Sequence, residues 1–476
     1  MDILFAVTES DPFAKTGGLG DVGGSLPMII NRLNCSLRVI MPQYSFIPLH
    51  LKKEIRHITS FTLDLGWRRQ YCGLNEMKCQ GVHYYFIDNE YYFGRDQLYG
   101  YGDDGERFAF FSKAVLESLL HMKEFKPDVI HCNDWHTALI PVLIKEYYMN
   151  DPFFDGIKTL LTIHNLKHQG TFSKGILGDL LAMQENTPGA RSLEFHGSVN
   201  YFKGGLLLAD AITTVSPTYA REILEPYYGE GLEDMLRNRE EKITGILNGI
   251  DHEKYDPRTD QNLVSRYPSA AWKNENKVRL QALLDLPVNK NVPLLVIVSR
   301  LVDQKGLDLL EQIMEEIVTW EMQLVVLGTG EKKYEEMFSY FAHKYPAKIA
   351  VKIMFDEDLA RKIYGGGNIL LMPSRFEPCG LTQMMAMRYG TIPLVRETGG
   401  LKDSVIPYNA KNGLGNGFTF TSYDARELLA ILEKAVRLYH EDKKTWQSLE
   451  DNALKADFSW EESARKYIGL YRDILI

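Results

Sequence analysis

Two doubly wound α/β domains facing each other across a cleft is the architecture this sequence predicts, and three observations carry it. Unbroken apolar runs of strand length alternate with amphipathic helical stretches along nearly the whole chain. The alternation restarts after a polar, proline-bearing interval at 252–276, the best place for a hinge. At 476 residues the chain is also too long for a single hydrophobic core. The expected divisions are a Rossmann-like domain over 1–250, a second over 251–458, and a terminal helix over 459–476 that returns to the first domain.

Composition narrows the function classes. A formal charge of −9 argues against a nucleic-acid partner, whose phosphates want a basic face, and permits a neutral polymer such as a polysaccharide. The five cysteines, an odd number with no CxxC pair, suit reduced thiols better than a disulfide framework or a zinc site. The chain opens on a strand, with no basic leader and no long apolar run, so neither a secretion signal nor a membrane span is expected. A cytoplasmic enzyme follows.

In the first half, residues 3–7 form a buried strand and 26–33 a helix. The glycine-rich stretch 15–22 (KTGGLGDV) lies between them, at the carboxyl end of the strand. Lys15 adds a mobile charge there, although a Gly-Gly turn alone also suits an ordinary loop, and neither a Walker loop nor GxGxxG is present. Residues 37–42 are a strand, and 55–87 read as short antiparallel hairpins inserted in the fold. The Tyr- and Phe-rich stretch 84–111 can pack that insertion or stack on sugar rings.

Strands at 128–132 and 158–163 each end in a polar cluster, Asn133-Asp134-Trp135-His136-Thr137 and His164-Asn165-Leu166. Ligands sit where such strands end. Histidines 131, 136, 164 and 168 lack any metal-ligand spacing, so sugar hydrogen bonding competes with ordinary structural roles there. A helix at 200–210 follows, then strands at 211–215 and 242–247. Ser216-Pro217 opens the helix between those two strands, as cap and first-turn proline.

In the second half, strands are expected at 293–299, 323–328, 349–354, 368–372 and 391–395. Helices fall at 307–318, 331–344, 358–364, 384–389, 424–440, 444–456 and 459–475. Arg300 and Lys305 lie on one strand-exit loop, where a planar fork and a point charge can answer a diphosphate. The stretch 373–383 (PSRFEPCGLTQ) joins a strand to a helix. Its Gly380-Leu381-Thr382 would present unpaired backbone N–H groups to phosphate, with Glu377 beside them as an acceptor for hydroxyls. A phosphate cradle next to a hydroxyl acceptor suits a nucleotide-sugar.

Taken together, KTGGLGDV (15–22), HCNDWHTAL (131–139), TIHN (162–165), NGID (248–251), SRLVDQKG (299–306), PSRFEPCGLTQ (373–383) and TGGL (398–401) resemble the bacterial glycogen synthase and plant starch synthase family. All seven stand in family order across nearly the whole chain. The resemblance implies a GT-B fold and transfer of glucose from ADP-glucose to the non-reducing end of an α-1,4-glucan, with retention of configuration. It implies no cofactor, neither metal nor pyridoxal phosphate, and a cytoplasmic location, or the plastid stroma for a processed plant form. Its partners are ADP-glucose and the glucan, with no nucleic acid, no membrane and no particular oligomeric state.

Carried over residue by residue, the resemblance makes His164, Arg300, Lys305 and Glu377 catalytic. It assigns substrate binding to Lys15, Gly17, Gly18, Asp21, Asp134, Asn165, Asn248, Phe355, Cys379, Gly380, Leu381, Thr382 and Thr398. The first domain becomes the acceptor side and the second the nucleotide-sugar side. Three departures stand out: Gly20 where many relatives have alanine, Phe355 where tyrosine is common near the adenine, and Met385 where broader retaining transferases carry a second glutamate. The rivals are a GT-B transferase using another nucleotide-sugar such as UDP-glucose, a phosphorylase with pyridoxal phosphate, and an inactive glucan-binding scaffold.

Overall fold

A computed structural model describes residues 1–122, 124–269 and 272–476. It divides into two compact units, Met1–Asn248 with Trp460–Ile476, and Gly249–Ser459. The first contains β1 (Asp2–Ala6), β2 (Ser36–Pro42), β3 (Arg56–Leu65), β4 (Arg68–Cys79), β5 (Val82–Asp88), β6 (Val129–Asn133) and β7 (Lys158–Ile163). After these come β8 (Thr171–Ser173), β9 (Glu194–Phe195), β10 (Ser198–Asn200), β11 (Ala211–Thr214) and β12 (Ile243–Gly245). Nine of them form one sheet in the order β12-β11-β7-β6-β1-β2-β5-β4-β3, and β8, β10 and β9 form a small separate sheet.

From β12 to β5 the large sheet is parallel, and β4 and β3 extend it antiparallel. The expected hairpins at 55–87 therefore belong to the main sheet, with β5 bonded to β2 as an interior strand. Strand order reverses at β1, which pairs with both β2 and β6. Such a reversal leaves a crevice at the carboxyl ends, where the helices of the two halves part to opposite faces.

The terminal helix Trp460–Asp473 packs on the helix Gly18–Arg32 of the same unit. It buries Trp460, Ala464, Tyr467, Ile468 and Tyr471, one stripe at helical spacing. Tyr471 OH meets His131 Nδ1 at 2.8 Å, and His131 Nε2 meets Thr162 Oγ1 at 2.6 Å. His131 is thus a core histidine whose burial pushes its pKa well down. Tyr471→Phe leaves Nδ1 buried without a partner. We expect it to cost about 1–3 kcal/mol in thermal or denaturant unfolding.

The second unit carries β13 (Leu294–Val298), β14 (Gln323–Leu327), β15 (Ile349–Lys352), β16 (Ile369–Met372), β17 (Ile392–Arg396) and β18 (Phe418–Phe420). They form an all-parallel sheet in the order β15-β14-β13-β16-β17-β18, reversing between β13 and β16. Carboxylates cap three of its helices. Asp356, Asp424 and Asp442 accept the first-turn N–H groups of Glu357–Gly366, Ala425–Glu441 and Lys443–Lys455. Both units are Rossmann-like, the pair of domains that makes up a GT-B fold.

The interval expected as a hinge is packed instead. Tyr255, Asp256, Asp260 and Tyr267 are buried within the second unit. Tyr267 OH donates to Tyr389 O at 2.8 Å, and Arg388 meets Asp256 at 3.2 Å. Part of its polar composition, Asp256, Asp260, Lys273 and Asn276, is buried in the second unit, and the chain changes unit just before it, between Asn248 and Gly249. Ala270 and Ala271, part of the same expectation, lie outside the described residues.

Candidate active site

In the second unit, the loops leaving β13 and β16 flank the point where strand order reverses. Gly306 holds them together. Its φ is +68°, and a Cβ there would lie 1.9 Å from Pro373 O, so only glycine permits the approach. Arg375 N donates across to Gln304 O at 2.9 Å. The result is a contact between Lys305 Nζ and Glu377 Oε2 at 2.6 Å, with both side chains mostly buried. Ser374 Oγ donates to the same Oε2 at 3.2 Å.

Among the described residues, Glu377 Oε1 accepts no hydrogen bond and Lys305 Nζ has no second partner. Arg300, on the same exit loop as Lys305, is exposed, and its guanidinium has no hydrogen-bond or ion-pair partner among the described residues.

The loop bearing Glu377 is held from β17. Arg396, buried, donates through Nε to Ser374 O at 2.8 Å and through Nη2 to Arg375 O. Just beyond β17, Gly400 N donates to Glu377 O at 3.1 Å. Gly399 has φ +43°, and a Cβ on it would stand 1.9 Å from that same carbonyl. Thr398 and Cys379 are buried in this junction. Gly380 has φ +71°, and Leu381 and Thr382 open the short helix Thr382–Arg388 as half-buried residues. Met385 is buried on that helix. Phe355 lies apart from this cluster, 75% exposed beyond the end of β15 beside exposed Ile353 and Met354.

In the first unit the exits of β6 and β7 collect a second group. Asp134 leaves β6 with φ 56° and ψ −176°, backbone angles normally left to glycine and a recurrent mark of functional turns. That turn aims Oδ1 at the backbone N–H groups of His164 (2.8 Å) and Asn165 (3.4 Å). His164 Nε2 meets Asn133 Oδ1 at 2.9 Å. Burial drives the two pKa values apart: the Asp134 carboxyl is pushed up to about 7, and His164 down to about 3, which keeps the imidazole neutral. Asn248, where the chain leaves this unit, is buried, and its side-chain oxygen accepts no hydrogen bond among the described residues.

The raised Asp134 value has a sign that can be measured. Between about pH 4 and 7 the folded protein keeps a proton that the unfolded chain has released, so this group's contribution to stability falls as pH rises. Asp134→Asn removes that slope. Its stability relative to wild type should be least changed near pH 4 and gain most at pH 7 and above, by no more than about 4 kcal/mol, in melts taken across that range.

The glycine loop of the first unit is held by the protein's own side chains. Glu9, buried just beyond β1, accepts from Thr16 N (2.6 Å), Thr16 Oγ1 (2.9 Å), Gly17 N (3.3 Å) and Tyr99 OH (2.9 Å). A carboxylate of the protein itself thus takes the amide of Gly17, one of the residues assigned to substrate, leaving exposed Gly18 at the helix start. Lys15 Nζ is paired with Asp21 Oδ1 at 2.8 Å. Gly20 matters to that pair, because an alanine Cβ would come within 2.7 Å of Lys15 Cγ. Among the Tyr and Phe residues of 84–111, Tyr92, Phe93, Phe108, Phe110 and Phe111 are core, and Tyr99 stacks on His136 at 4.5 Å.

Glu9, Asn133 and Arg396 are thus site-shaping residues that motif reading missed. Asn133 at least lay inside a polar strand-end cluster. The other two carry no local pattern. No cluster of three or more His, Cys, Asp or Glu side chains able to hold a metal is present among the described residues. No helix among them is long and apolar enough to cross a membrane.

Comparison with known proteins bears on both units. The family model for the starch synthase catalytic domain matches residues 2–238, and that for glycosyl transferases group 1 matches 284–455. The chain is 51% identical to a glycogen synthase of Desulfitobacterium hafniense, over 100% of this chain and 99% of that one. It is 50% identical to a glycogen synthase of Clostridium acetobutylicum over the whole of both chains. The catalytic domain of starch synthase IV from Arabidopsis thaliana, solved bound to ADP and acarbose, superimposes with a TM-score of 0.91 at 33% identity, covering 100% of this chain and 99% of that one.

Proposed function

The chain belongs to the starch and glycogen synthase family, and from that membership we propose that it transfers glucose from ADP-glucose to the non-reducing end of an α-1,4-glucan with retention of configuration. The observation that carries the reading is that the loop leaving β13, at the reversal point of the second sheet, bears both the Arg300 guanidinium, which has no partner among the described residues, and Lys305 in contact with Glu377. The ADP and acarbose of the starch synthase IV structure support the nucleotide and saccharide ends of the same reaction.

On this reading Arg300 and Lys305 take the diphosphate, and negative charge grows between them as the bond from glucose C1 to the phosphate oxygen breaks. Glu377 Oε1, which lacks a protein donor among the described residues, takes a glucose hydroxyl. The helix start at Gly380-Leu381-Thr382 adds backbone N–H groups to the phosphates, and Phe355 stacks on the base. Thr398 and Cys379 shape the wall behind them. In the first unit we assign Lys15, Gly17, Gly18, Asp21, Asp134, His164, Asn165 and Asn248 to the sugar and its glucan acceptor. The neutral His164 ring suits hydrogen bonding to hydroxyls.

Retaining hydrolases use a carboxylate nucleophile with a second carboxyl group. Met385 stands where a second glutamate would fall in broader retaining transferases. We therefore favour attack from the leaving-group face: the acceptor hydroxyl forms the new C1–O bond and passes its proton to the departing phosphate oxygen. Incubation of the purified protein with glycogen and radiolabelled ADP-glucose or UDP-glucose tests the reading. Label is expected in glycogen from ADP-glucose well above UDP-glucose. No incorporation from any nucleotide-glucose overturns the reading, and a preference for UDP-glucose corrects the donor.

A further inference from the structure

The Lys305–Glu377 contact has a role to play after the sugar has left. Resting on the nucleotide-sugar reading above, we propose that Glu377 competes with the product nucleoside diphosphate for Lys305 and so drives its release. Three features support this. The contact is short, 2.6 Å between Nζ and Oε2, and the two side chains are only 16% and 8% exposed, so water screens the pair weakly. Arg396 and Gly400 hold the backbone of the Glu377 loop at Ser374, Arg375 and Glu377, and Ser374 Oγ donates to the same Oε2 at 3.2 Å, so the carboxylate is kept beside Lys305. Lys305 has no other partner among the described residues, so the carboxylate and an incoming phosphate oxygen are rivals for one ammonium group.

The rivalry depends on whether glucose is attached. In the intact donor the sugar hydroxyls occupy the Glu377 carboxylate and draw down its charge, so the phosphate takes Lys305 with little opposition. Once glucose has moved to the glucan those hydroxyls are gone. The carboxylate then regains its full pull on the ammonium and weakens the grip on the bare diphosphate. Glu377 thereby reports to the phosphate end whether the sugar has departed.

Calorimetric titration with ADP of wild type, Glu377→Gln, Lys305→Met and the double variant tests the idea. Glutamine keeps the size and the acceptor oxygen but loses the charge. Glu377→Gln is expected to bind ADP about tenfold more tightly than wild type, while the double variant binds no better than Lys305→Met alone. Product inhibition by ADP in the residual turnover of Glu377→Gln should strengthen in parallel. Measurable ADP binding by wild type, unchanged or weakened in Glu377→Gln, overturns the competition and leaves the functional reading standing. So does a gain that persists in the Lys305→Met background. Wild type that binds no ADP overturns both.

Discussion

Replacing Arg300 with alanine should slow glucan synthesis about a hundred- to a thousandfold, the usual loss when a preorganised group facing developing charge is removed. The prediction is sharp because of where Arg300 sits. Its guanidinium is exposed and makes no hydrogen bond or ion pair among the described residues. Removing it therefore breaks nothing in the fold, and the melting temperature should stay put. Lys305→Met is expected to lose activity to a similar degree but also stability, because it leaves the Glu377 carboxylate buried without its cation. Initial rates with ADP-glucose and glycogen, measured beside thermal melts, separate the two behaviours. Activity of Arg300→Ala within about threefold of wild type would remove Arg300 from the diphosphate site.

Gly399→Ala should be nearly as damaging for a different reason. The residue has φ +43°, and an added Cβ would lie 1.9 Å from the carbonyl oxygen of Glu377, so the backbone beneath the key carboxylate must move. A displacement of that kind costs about 1–3 kcal/mol in strain, and a misplaced reacting group costs about a hundredfold in rate. Gly413→Ala is the natural control. It also has positive φ, +68°, yet nothing stands within 4 Å of its added Cβ. It should lose about 1–2 kcal/mol and keep its turnover. Equal rates for the two variants would mean that the junction does not position Glu377.

The sheets were legible in the sequence because parallel strands buried on both faces are continuous apolar runs. Residues 3–7 and 293–299 met their strands to within a residue or so. The polar clusters were legible because they occupy strand exits. What escaped were interactions whose two ends carry no shared pattern. Glu9 lies in an ordinary Thr-Glu-Ser exit, and only folding shows that it fills the amides of Thr16 and Gly17. Arg396 reads as the end of a strand, whereas its guanidinium gathers the carbonyls of another loop. His131 drew attention as a chemical residue and proved to be packed between Phe5 and Tyr471. The polar stretch 252–276 misled in the opposite direction, since charged residues that satisfy one another inside a unit look in sequence like those that face water.

The placement of the last helix bears on how the protein is made. Trp460–Asp473 emerges from the ribosome about 430 residues after the helix Gly18–Arg32 that it covers. At ordinary elongation rates of about 5–20 residues per second, that surface waits on the order of half a minute for its cover. Gly249–Ser459, contiguous in the chain, can close in the meantime. The first unit is thus completed only after the whole of the second has been made, and a nascent chain stalled before Trp460 presents an uncovered apolar seam to chaperones.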